Sequence, residues 1–305
     1  MVIKNFMKAA AKPYLHLMND DNWAAEVKYD GERYMLYILN EGNKMYSRHT
    51  NKDGERIEKG NRLPHLINQT YKGMNGTILD GEVIGKTLED TVSVTGSLPD
   101  RAIALQKERG WLRYMVFDIL FYKGKDVRSK SFFERKKILK IAVKEANNKY
   151  IISVKSTISK KKELFKKVKE KHMEGIVLKN IYNPYVPGLK HKDWIKVKNT
   201  INVDVVIMDY EMGKGKYNKD KIGAIIYGAY KGKKLVRWGK VAGMTKAVIN
   251  QLTNDSQRYR WSVIEIEGQG YTGSGNVRHP RFKRFRKDKK PIECKKEIQT
   301  WEESH

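Results

Sequence analysis

Several features that would mark particular classes of protein are scarce or missing in this 305-residue sequence. It has one cysteine, Cys294, which excludes an internal disulfide framework and a zinc site built from several cysteines. No apolar run approaches the roughly 20 residues that a membrane-spanning helix requires, so the sequence predicts no membrane span. The N-terminal residues contain neither a long apolar stretch nor a clear cleavage site, which argues against a secretory signal peptide. These absences together predict an intracellular protein.

Acidic residues are also few, because 35 Asp and Glu stand against 62 Lys and Arg, for a formal net charge of +27. Solubility alone rarely needs such an excess of positive charge. It indicates a polyanionic partner, either a nucleic acid or an anionic membrane surface.

The first two thirds of the chain combine strand-like and helix-like segments. The predicted strands carry β-branched and aromatic residues and are separated by turn pairs such as Asp30-Gly31 and Asp53-Gly54. Asp80-Gly81 has the composition of a turn but lies inside a strand-like run. Helices are predicted from near Ser131, where Glu134 completes a capping box, and over Lys160–His172. The predicted strands are Glu26–Tyr29, Arg33–Leu39, Lys44–Arg48, Thr77–Ile84, Arg113–Tyr122 and Gly175–Lys179.

The pattern changes after Lys198, where short strands and glycine-rich turns predominate. The only helix expected there covers Lys246–Thr253. This change predicts a small all-β barrel after an α/β domain, with a boundary near Asn199–Asn202. The strands predicted in the second part are Val203–Tyr210, Gly223–Tyr230, Leu235–Val241 and Ser262–Glu267.

The sharpest motif is Lys28–Arg33, in which a lysine ends a strand, a tight turn follows and an arginine begins the next strand. Taken alone, this segment is an ordinary charged hairpin. It is followed, in order, by a series of further segments: Tyr46–Arg48, Asp80–Val83, Val116–Asp118, Glu174–Lys179, Trp194–Lys198 and Arg281–Lys289.

In order and spacing, these segments resemble the motif series of the covalent nucleotidyltransferases, which include ATP-dependent DNA ligases, RNA ligases and mRNA capping enzymes. The segment His279–Phe282 and the basic residues after it resemble the DNA ligase version, and the short chain is similar to compact bacteriophage and viral ligases. The resemblance implies an α+β fold. It consists of a nucleotidyltransferase (adenylation) domain of antiparallel sheets and helices over residues 1–199 and a small all-β OB-fold domain over residues 200–305.

Lys28 is the predicted nucleophile. A free lysine has a pKa of about 10.4, so holding its amine neutral near pH 7 costs roughly 4.6 kcal/mol unless nearby cations or desolvation reduce that cost. Lys196 and Lys198 alternate on a strand and point to one face. The resemblance implies that both contact the α-phosphate of ATP, where they would stabilise charge developing at phosphorus. Without the motif context, they would be read as a solvated strand face.

Carboxylates in the motifs are candidate ligands for Mg²⁺ or another divalent cation such as Mn²⁺. Mg²⁺ takes oxygen ligands and often only one or two protein carboxylates. The resemblance makes Glu174 the leading metal contact and assigns Glu82 to metal or ribose. Asp30 is a further candidate, although Asp-Gly is also a plain turn. The alternative for all three is surface ion pairing.

Four residues are candidates for the rest of the ATP site. The resemblance makes Phe117 the side chain that stacks on adenine, although a lone aromatic in an apolar strand is usually part of a core. Glu26 lies on the same strand face as Lys28, where its carboxylate can accept a hydrogen bond from the adenine amino group, which would favour ATP over GTP. Arg33 and Arg48 match positions that bind the ribose and the nick phosphate.

The basic segment Arg281–Lys290 reads by composition as a solvated tail. Its resemblance to the last DNA ligase motif implies instead that Arg281, Arg286 and Lys289 contact the pyrophosphate leaving group or DNA as the small domain closes.

The predicted function is an ATP-dependent DNA ligase that seals nicks in duplex DNA during replication, repair or recombination. It is expected to act as a monomer in the cytoplasm of a bacterial or phage-infected cell.

Two other classes stay open from the sequence. An RNA ligase or a capping-type guanylyltransferase shares the lysine motif, and covalent labelling by GTP alone would favour the latter. A non-catalytic, basic nucleic-acid-binding protein would form no nucleotide adduct and would be unaffected by Lys28→Ala.

Overall fold

Strands predominate in the computed structural model, which describes residue 3 and residues 5–188, 190–214, 219–272 and 274–296. The chain divides into two units, Met1–Lys198 and Asn199–His305. The predicted division, between residues 199 and 200, lies one residue further along. Among the described residues, no helix is long and apolar enough to cross a membrane.

The first unit consists of twelve strands and five α-helices within the described residues, with short 3-10 turns at Leu15–Met18 and Gly60–Arg62. Its helices are α1 (Pro64–Ile67), α2 (Leu88–Gly96), α3 (Pro99–Arg109), α4 (Phe132–Ala146) and α5 (Lys161–Glu170). Its strands are β1 (Lys8–Ala10), β2 (Trp23–Lys28), β3 (Glu32–Ile38), β4 (Lys44–Thr50), β5 (Arg56–Glu58), β6 (Thr77–Ile84), β7 (Arg113–Tyr122), β8 (Lys125–Asp126), β9 (Ile151–Ser153), β10 (Ser156–Thr157), β11 (Gly175–Asn180) and β12 (Lys190–Lys198).

These strands form two sheets. The first has the order β1-β12-β11-β2-β10, and the second has the order β5-β4-β3-β6-β7-β8 with β9 also paired to β7. Pairing is antiparallel, as predicted, except that β1 runs parallel to β12 and β9 runs parallel to β7. The six strands predicted in this part of the chain are therefore confirmed, with ends shifted by a few residues.

Side chains alternate across the first sheet and give its two faces different chemistry. On one face, Ala25, Ile176 and Ile195 pack with Val168 of α5 in an apolar cluster. The opposite face carries Glu26 and Lys28 of β2, Lys179 of β11 and Lys196 and Lys198 of β12. The charged residues of three neighbouring strands therefore share one face of the sheet.

The Asp80-Gly81 pair is not a turn, because β6 runs through it without interruption. Gly81 is needed for packing instead: a Cβ there would lie 2.7 Å from both the Tyr114 ring and the Met115 carbonyl oxygen. The Tyr114 hydroxyl donates to the carbonyl oxygens of Leu79 and Tyr34, which fixes the ring under the strand.

Both helices predicted in this part of the chain are present. Ser131 caps α4: its hydroxyl accepts from the Glu134 backbone N–H, and the Glu134 carboxylate accepts from the Ser131 backbone N–H. This reciprocal pair is the predicted capping box. The helix predicted over Lys160–His172 is α5, and its apolar residues Leu164, Phe165 and Val168 pack against the first sheet.

The second unit is a closed five-stranded barrel with the order β13-β14-β15-β17-β16. Helices α6 (Lys246–Asn254) and α7 (Ser256–Tyr259) lie between the third and fourth strands, and a 3-10 turn covers Pro291–Glu293. This arrangement confirms the predicted OB-fold. The strands are β13 (Ile201–Met212), β14 (Ile222–Lys231), β15 (Lys234–Ala242), β16 (Val263–Gly268) and β17 (Arg281–Phe285).

Candidate active site

A cleft of about 470 Å³ lies between the two sheets of the first unit. It is lined by charged residues from both sheets, together with a few aromatic and small residues. Every residue predicted for ATP or metal binding lines it: Glu26, Lys28, Asp30, Arg33, Arg48, Glu82, Phe117, Glu174, Lys196 and Lys198.

Strand register explains how residues far apart in sequence meet on the cleft floor. Gly175 of β11 pairs with Lys28 on one side and Lys198 on the other. Two residues along, Val177 pairs with Glu26 and Lys196. Since directly paired residues point to the same face, the register brings Lys28 together with both predicted phosphate-binding lysines.

Gly175 keeps the space between Lys28 and Lys198 open. Its φ is +150°, and a Cβ at this position would collide with the Val197 carbonyl oxygen. Only glycine fits this backbone without a shift, and its missing side chain leaves room between the two lysines.

The Lys28 side chain is 27% exposed, and its Nζ donates to Oε2 of Glu174 in a close ion pair. Lys28, the predicted nucleophile, is therefore held by Glu174, the leading candidate for a metal ligand. In this contact the Lys28 ammonium is a hydrogen-bond donor, and the carboxylate occupies the position from which the predicted nucleophile would act.

Glu82 is the second carboxylate near Lys28. Burial raises its pKa to about 7, with a further contribution from the charge of Glu174 that Lys28 and Arg33 oppose. Two carboxylates that repel each other beside a cleft have the hard oxygen donors that Mg²⁺ prefers. Asp30 lines the same cleft. No group of three or more metal-ligating side chains occurs in the described parts of the chain, so such an ion would also need oxygens from substrate phosphates.

Phe117 lies at an irregularity in the sheet. Asp118 pairs with Asp80 and Val116 with Gly81, so Phe117 between them has no partner on β6. Such a bulge redirects a side chain, and here the ring lines the cleft. Its neighbour Trp194 contacts it edge-on, with ring centroids 6.0 Å apart.

Glu26 is 1% exposed, although it also lines the cleft. Its Oε1 lies 2.5 Å from Nζ of Lys136 and accepts from the Ser156 hydroxyl at 2.5 Å, while Oε2 lies 2.7 Å from Nζ of Lys179. Burial opposes ionisation, but the two ammonium groups outweigh it and hold the pKa of Glu26 below its usual value.

The two predicted arginines differ in their surroundings. Arg33 donates from Nε and Nη2 to the two carboxylate oxygens of Asp80, at 2.9 and 2.6 Å, and from Nη1 to the Met7 carbonyl oxygen at 2.7 Å. Its guanidinium therefore joins β3, β6 and the N-terminal segment. Arg48 is exposed on β4. For both residues, contact with ribose or phosphate stays a prediction.

The three predicted basic residues of the second unit have different environments. Arg281 is exposed on β17. Arg286 donates to Asp204 and Asp288, and Nζ of Lys289 donates to Asp204 at 2.8 Å. An anionic ligand of Arg286 or Lys289 would have to compete with these carboxylates.

Sequence reasoning missed several residues around the cleft. Lys179 and Trp194 belong to the quoted motifs but received no role, and their position on the cleft face of alternating strands was a usable signal. Lys136 is different, because the pattern of α4 gives no sign that its side chain reaches Glu26, 110 positions away in sequence.

Comparison with known proteins agrees with this geometry. The family model of the ATP-dependent DNA ligase domain matches residues 3–198. A DNA ligase-like protein, LigB, derived from the SPbeta prophage of Bacillus subtilis (strain 168), is 31% identical over 197 residues, which are 63% of this chain and 67% of LigB. The DNA ligase of Monkeypox virus is 27% identical over 334 aligned positions, covering 92% of this chain and 56% of that protein. The chain thus spans roughly half to two thirds of these relatives.

Solved structures resemble the fold. A Lig E DNA ligase has a TM-score of 0.69 at 19% identity, covering 94% of this chain and all of that one (100%). The ATP-dependent DNA ligase of bacteriophage T7, in complex with ATP, has a TM-score of 0.52 at 18% identity, covering 93% of this chain and 99% of that one. At such identities the likeness concerns the fold alone. The family model, which covers well over half of the chain, carries the assignment: this chain is a member of the ATP-dependent DNA ligase family.

Proposed function

We propose that this chain seals nicks in duplex DNA in three steps, with Lys28 as the nucleophile. The Lys28 amine attacks the α-phosphorus of ATP, a P–N bond forms, the bond to the bridging oxygen breaks and pyrophosphate leaves. The AMP group then passes to the 5′-phosphate at a nick, which restores the lysine. The 3′-hydroxyl attacks that activated phosphate, and AMP is released as the strand closes. The observation that carries this proposal is the placement of Lys28 in register with Lys198, across a side-chain-free Gly175, at a cleft wide enough for a nucleotide.

The two lysines of β12 act on the phosphates. Lys196 and Lys198 lie on the same face as Lys28, so their ammonium groups stabilise charge that builds up on the α-phosphate during the transfer. Positioning and charge stabilisation account for most of phosphoryl-type catalysis.

The carboxylates Glu174, Glu82 and Asp30 would hold Mg²⁺ or Mn²⁺ together with the phosphates. A bound cation would neutralise negative charge on the phosphate oxygens. Glu174 also holds Lys28, and this contact has to open before the amine can attack phosphorus.

The remaining cleft residues bind the rest of the nucleotide. Phe117 would stack on adenine, and Glu26 would accept a hydrogen bond from its amino group. Arg33 is proposed for the ribose and Arg48, the exposed arginine, for the nick phosphate. In the second unit, Arg281, Arg286 and Lys289 would contact the pyrophosphate or the DNA backbone.

The partner is nicked double-stranded DNA, gripped through its phosphates without sequence readout. The net charge of +27 supports this choice. We propose a monomer that acts in the cytoplasm of a bacterial or phage-infected cell, a setting in which ATP and DNA are both present.

Intact-mass measurement tests the first step. Wild-type protein incubated with ATP and Mg²⁺ is expected to gain one AMP, mapped to Lys28 by peptide sequencing, while Lys28→Ala gains none. The matched control is Lys44→Ala, an exposed lysine on β4 that does not line the cleft, which is expected to label normally. An adduct with GTP alone would instead indicate a capping-type enzyme.

A nicked duplex tests the later steps. Wild-type protein with ATP and Mg²⁺ is expected to convert it to sealed product, and Lys28→Ala is expected to give none. Labelling without sealing of DNA, combined with sealing of an RNA duplex, would refute the DNA ligase assignment in favour of an RNA ligase.

A further inference from the structure

Glu26 is held in one orientation by three side chains from three different elements. Lys136 comes from α4, Ser156 from β10 and Lys179 from β11. The Ser156 hydroxyl donates a hydrogen bond to Oε1, and the two lysines contact the carboxylate as ion pairs. Among the described residues, Oε2 accepts no hydrogen bond, so Glu26 keeps acceptor capacity for a ligand in the cleft that it lines.

Lys179 connects this acceptor to the aromatic wall of the cleft. Its side chain is 2% exposed, and its Nζ contacts Oε2 of Glu26 at 2.7 Å and donates to the Phe117 carbonyl oxygen at 3.2 Å. The same Nζ lies 4.1 Å from the centroid of the Trp194 ring. The ammonium group thus combines one hydrogen bond, one ion pair and one cation–π contact, all with residues of the cleft wall. These contacts fix the Lys179 side chain in the cleft wall, unlike a lysine whose ammonium group extends towards a bound phosphate.

The two ammonium groups also decide the chemical form of Glu26. A buried carboxyl without a partner tends to take up a proton, and it then offers an O–H donor in place of an acceptor. With Lys136 and Lys179 in contact, the ionised form is favoured. An ionised carboxylate attracts an amino group on a base and repels a carbonyl oxygen at the same place.

We propose that Lys179, with Lys136, is a positioning residue for base selection. Lys179 fixes Glu26 as an ionised acceptor beside Phe117 and Trp194. The cleft then prefers a purine nucleotide that has an exocyclic amino group facing Glu26, as in ATP. A nucleotide with a carbonyl oxygen at that position, as in GTP, is disfavoured. The inference rests on the proposed nucleotidyl transfer to Lys28, and it concerns which nucleotide is used in that transfer.

The test compares Lys179→Met with wild type in the formation of the covalent adduct from ATP and from GTP, followed by intact mass. Methionine keeps the length of the side chain and removes its charge. We expect KM for ATP to rise about tenfold and the ATP-over-GTP ratio of kcat/KM to fall at least about tenfold, which is the size expected when a hydrogen bond to a charged group is lost. Adduct formation at saturating ATP is expected to change less than about threefold.

Lys161→Met is the matched control. Lys161 is also a buried lysine, 1% exposed, and its Nζ donates to the carbonyl oxygens of Asp20 and Ile158, away from the cleft. This variant carries a similar loss of a buried ammonium and is expected to keep the wild-type ATP-over-GTP ratio. Far-UV circular dichroism and thermal unfolding establish that both variants are folded.

A double variant shows whether Lys179 acts through Glu26. In the Glu26→Gln background, adding Lys179→Met is expected to change nucleotide preference by less than about twofold, because the acceptor it positions is already altered. Should Lys179→Met fail to fold, Lys136→Met removes the ammonium on the other oxygen of Glu26, and the same drop in preference is expected.

Three outcomes separate the inference from the function on which it rests. No adduct with wild-type protein defeats the proposed transfer itself. A normal adduct with wild type, and an unchanged ATP-over-GTP ratio in folded Lys179→Met, overturns only the role of Lys179. An equal fall in kcat for ATP and GTP in Lys179→Met, with KM unchanged, also overturns the role of Lys179 in base selection. Loss of a contact to the phosphates would give that result.

Discussion

The buried ion pair between Asp118 and Arg135 gives a prediction about how the cleft wall is held. Arg135 and Asp118 are 0% and 1% exposed, and Nε and Nη2 of the arginine meet the two carboxylate oxygens at 2.8 and 2.9 Å. Nη1 donates to the carbonyl oxygens of Lys130 and Asn183. Because Asp118 directly follows the bulged Phe117, this arginine fixes the strand that presents the aromatic ring.

Replacing Arg135 by methionine leaves the Asp118 carboxylate buried without its cation. Loss of one partner from such a pair costs about 3–5 kcal/mol in the free energy of unfolding. Replacing both, as in Asp118→Leu with Arg135→Met, is expected to recover most of that loss, since no unpaired charge is left. The whole stability of a domain is about 5–15 kcal/mol, so the single variant needs measurement at low temperature.

The chain contains a matched control in a second arginine–aspartate pair. Nη2 of Arg128 lies 2.5 Å from Oδ2 of Asp126, but the two side chains are 30% and 44% exposed. Arg128→Met is expected to cost at most about 1 kcal/mol, the usual value for surface pairs. Urea unfolding followed by circular dichroism measures all four proteins. Equal losses of unfolding free energy from Arg135→Met and Arg128→Met would refute the reasoning, because both arginines contact an aspartate through Nε and Nη2, and they differ in burial and in the two backbone contacts of Arg135.

Three further predictions concern stability with pH, the cleft floor and the metal. Burial lowers the pKa of His65 to about 4, and its Nε2 donates to the Leu112 carbonyl oxygen. The neutral ring therefore stabilises the fold at pH values above the ordinary histidine pKa near 6.5. This contribution to the unfolding free energy is lost as the pH falls towards 4. Between pH 7 and 5, wild type is expected to lose about 2 kcal/mol more unfolding free energy than His65→Gln in urea titrations, and parallel losses would contradict it. Gly175→Ala is expected to abolish adduct formation and to lower the melting temperature well below that of Gly110→Ala. Gly110 also has a positive φ, but a Cβ there meets nothing within 4 Å. Similar effects of the two substitutions would show that a collision with the Val197 carbonyl oxygen does not cause the loss. Glu174→Gln is expected to slow adduct formation at least about 100-fold and to weaken its dependence on Mg²⁺ concentration, and a wild-type Mg²⁺ dependence would exclude Glu174 as a metal contact.

Much of the fold is readable from the sequence because local signals and the fold agree. Ser131 and Glu134 predict the start of α4 through a contact within one turn, and the alternation of Lys196 and Lys198 predicts their shared face. Asp80-Gly81 was ambiguous for a physical reason. The glycine is required by the ring of Tyr114 on the neighbouring strand, and no local pattern reveals that packing.

The candidate site was readable only in part, because motifs name residues and not their partners. The resemblance to the nucleotidyltransferase motif series predicts that Lys28, Lys196 and Lys198 lie near one another. The ion pair between Lys28 and Glu174 depends instead on the register between β2 and β11. Glu26 was expected to accept a hydrogen bond from adenine, and its contacts with Lys136 and Lys179 come from two distant segments. Pairing across long sequence distances is a tertiary property that periodicity does not encode.

The ion pairs of the cleft imply an order of events. Lys28 is bound to Glu174, so the amine is occupied until another cation competes for that carboxylate. The phosphates of ATP alone would not suffice, because they add negative charge beside Glu82 and Glu174, which already repel each other. A divalent cation held by Glu174 and Glu82, as proposed, would supply positive charge that offsets the charge of the phosphates. Without ligands, Lys28 is engaged by Glu174, and this contact has to open before the proposed nucleophile can attack. Glu26 is held by Lys136, Ser156 and Lys179, so the proposed base acceptor is in place before any ligand binds. In the proposed function, the cleft would thus combine a base site that is fixed in advance with a phosphate site that its ligands complete.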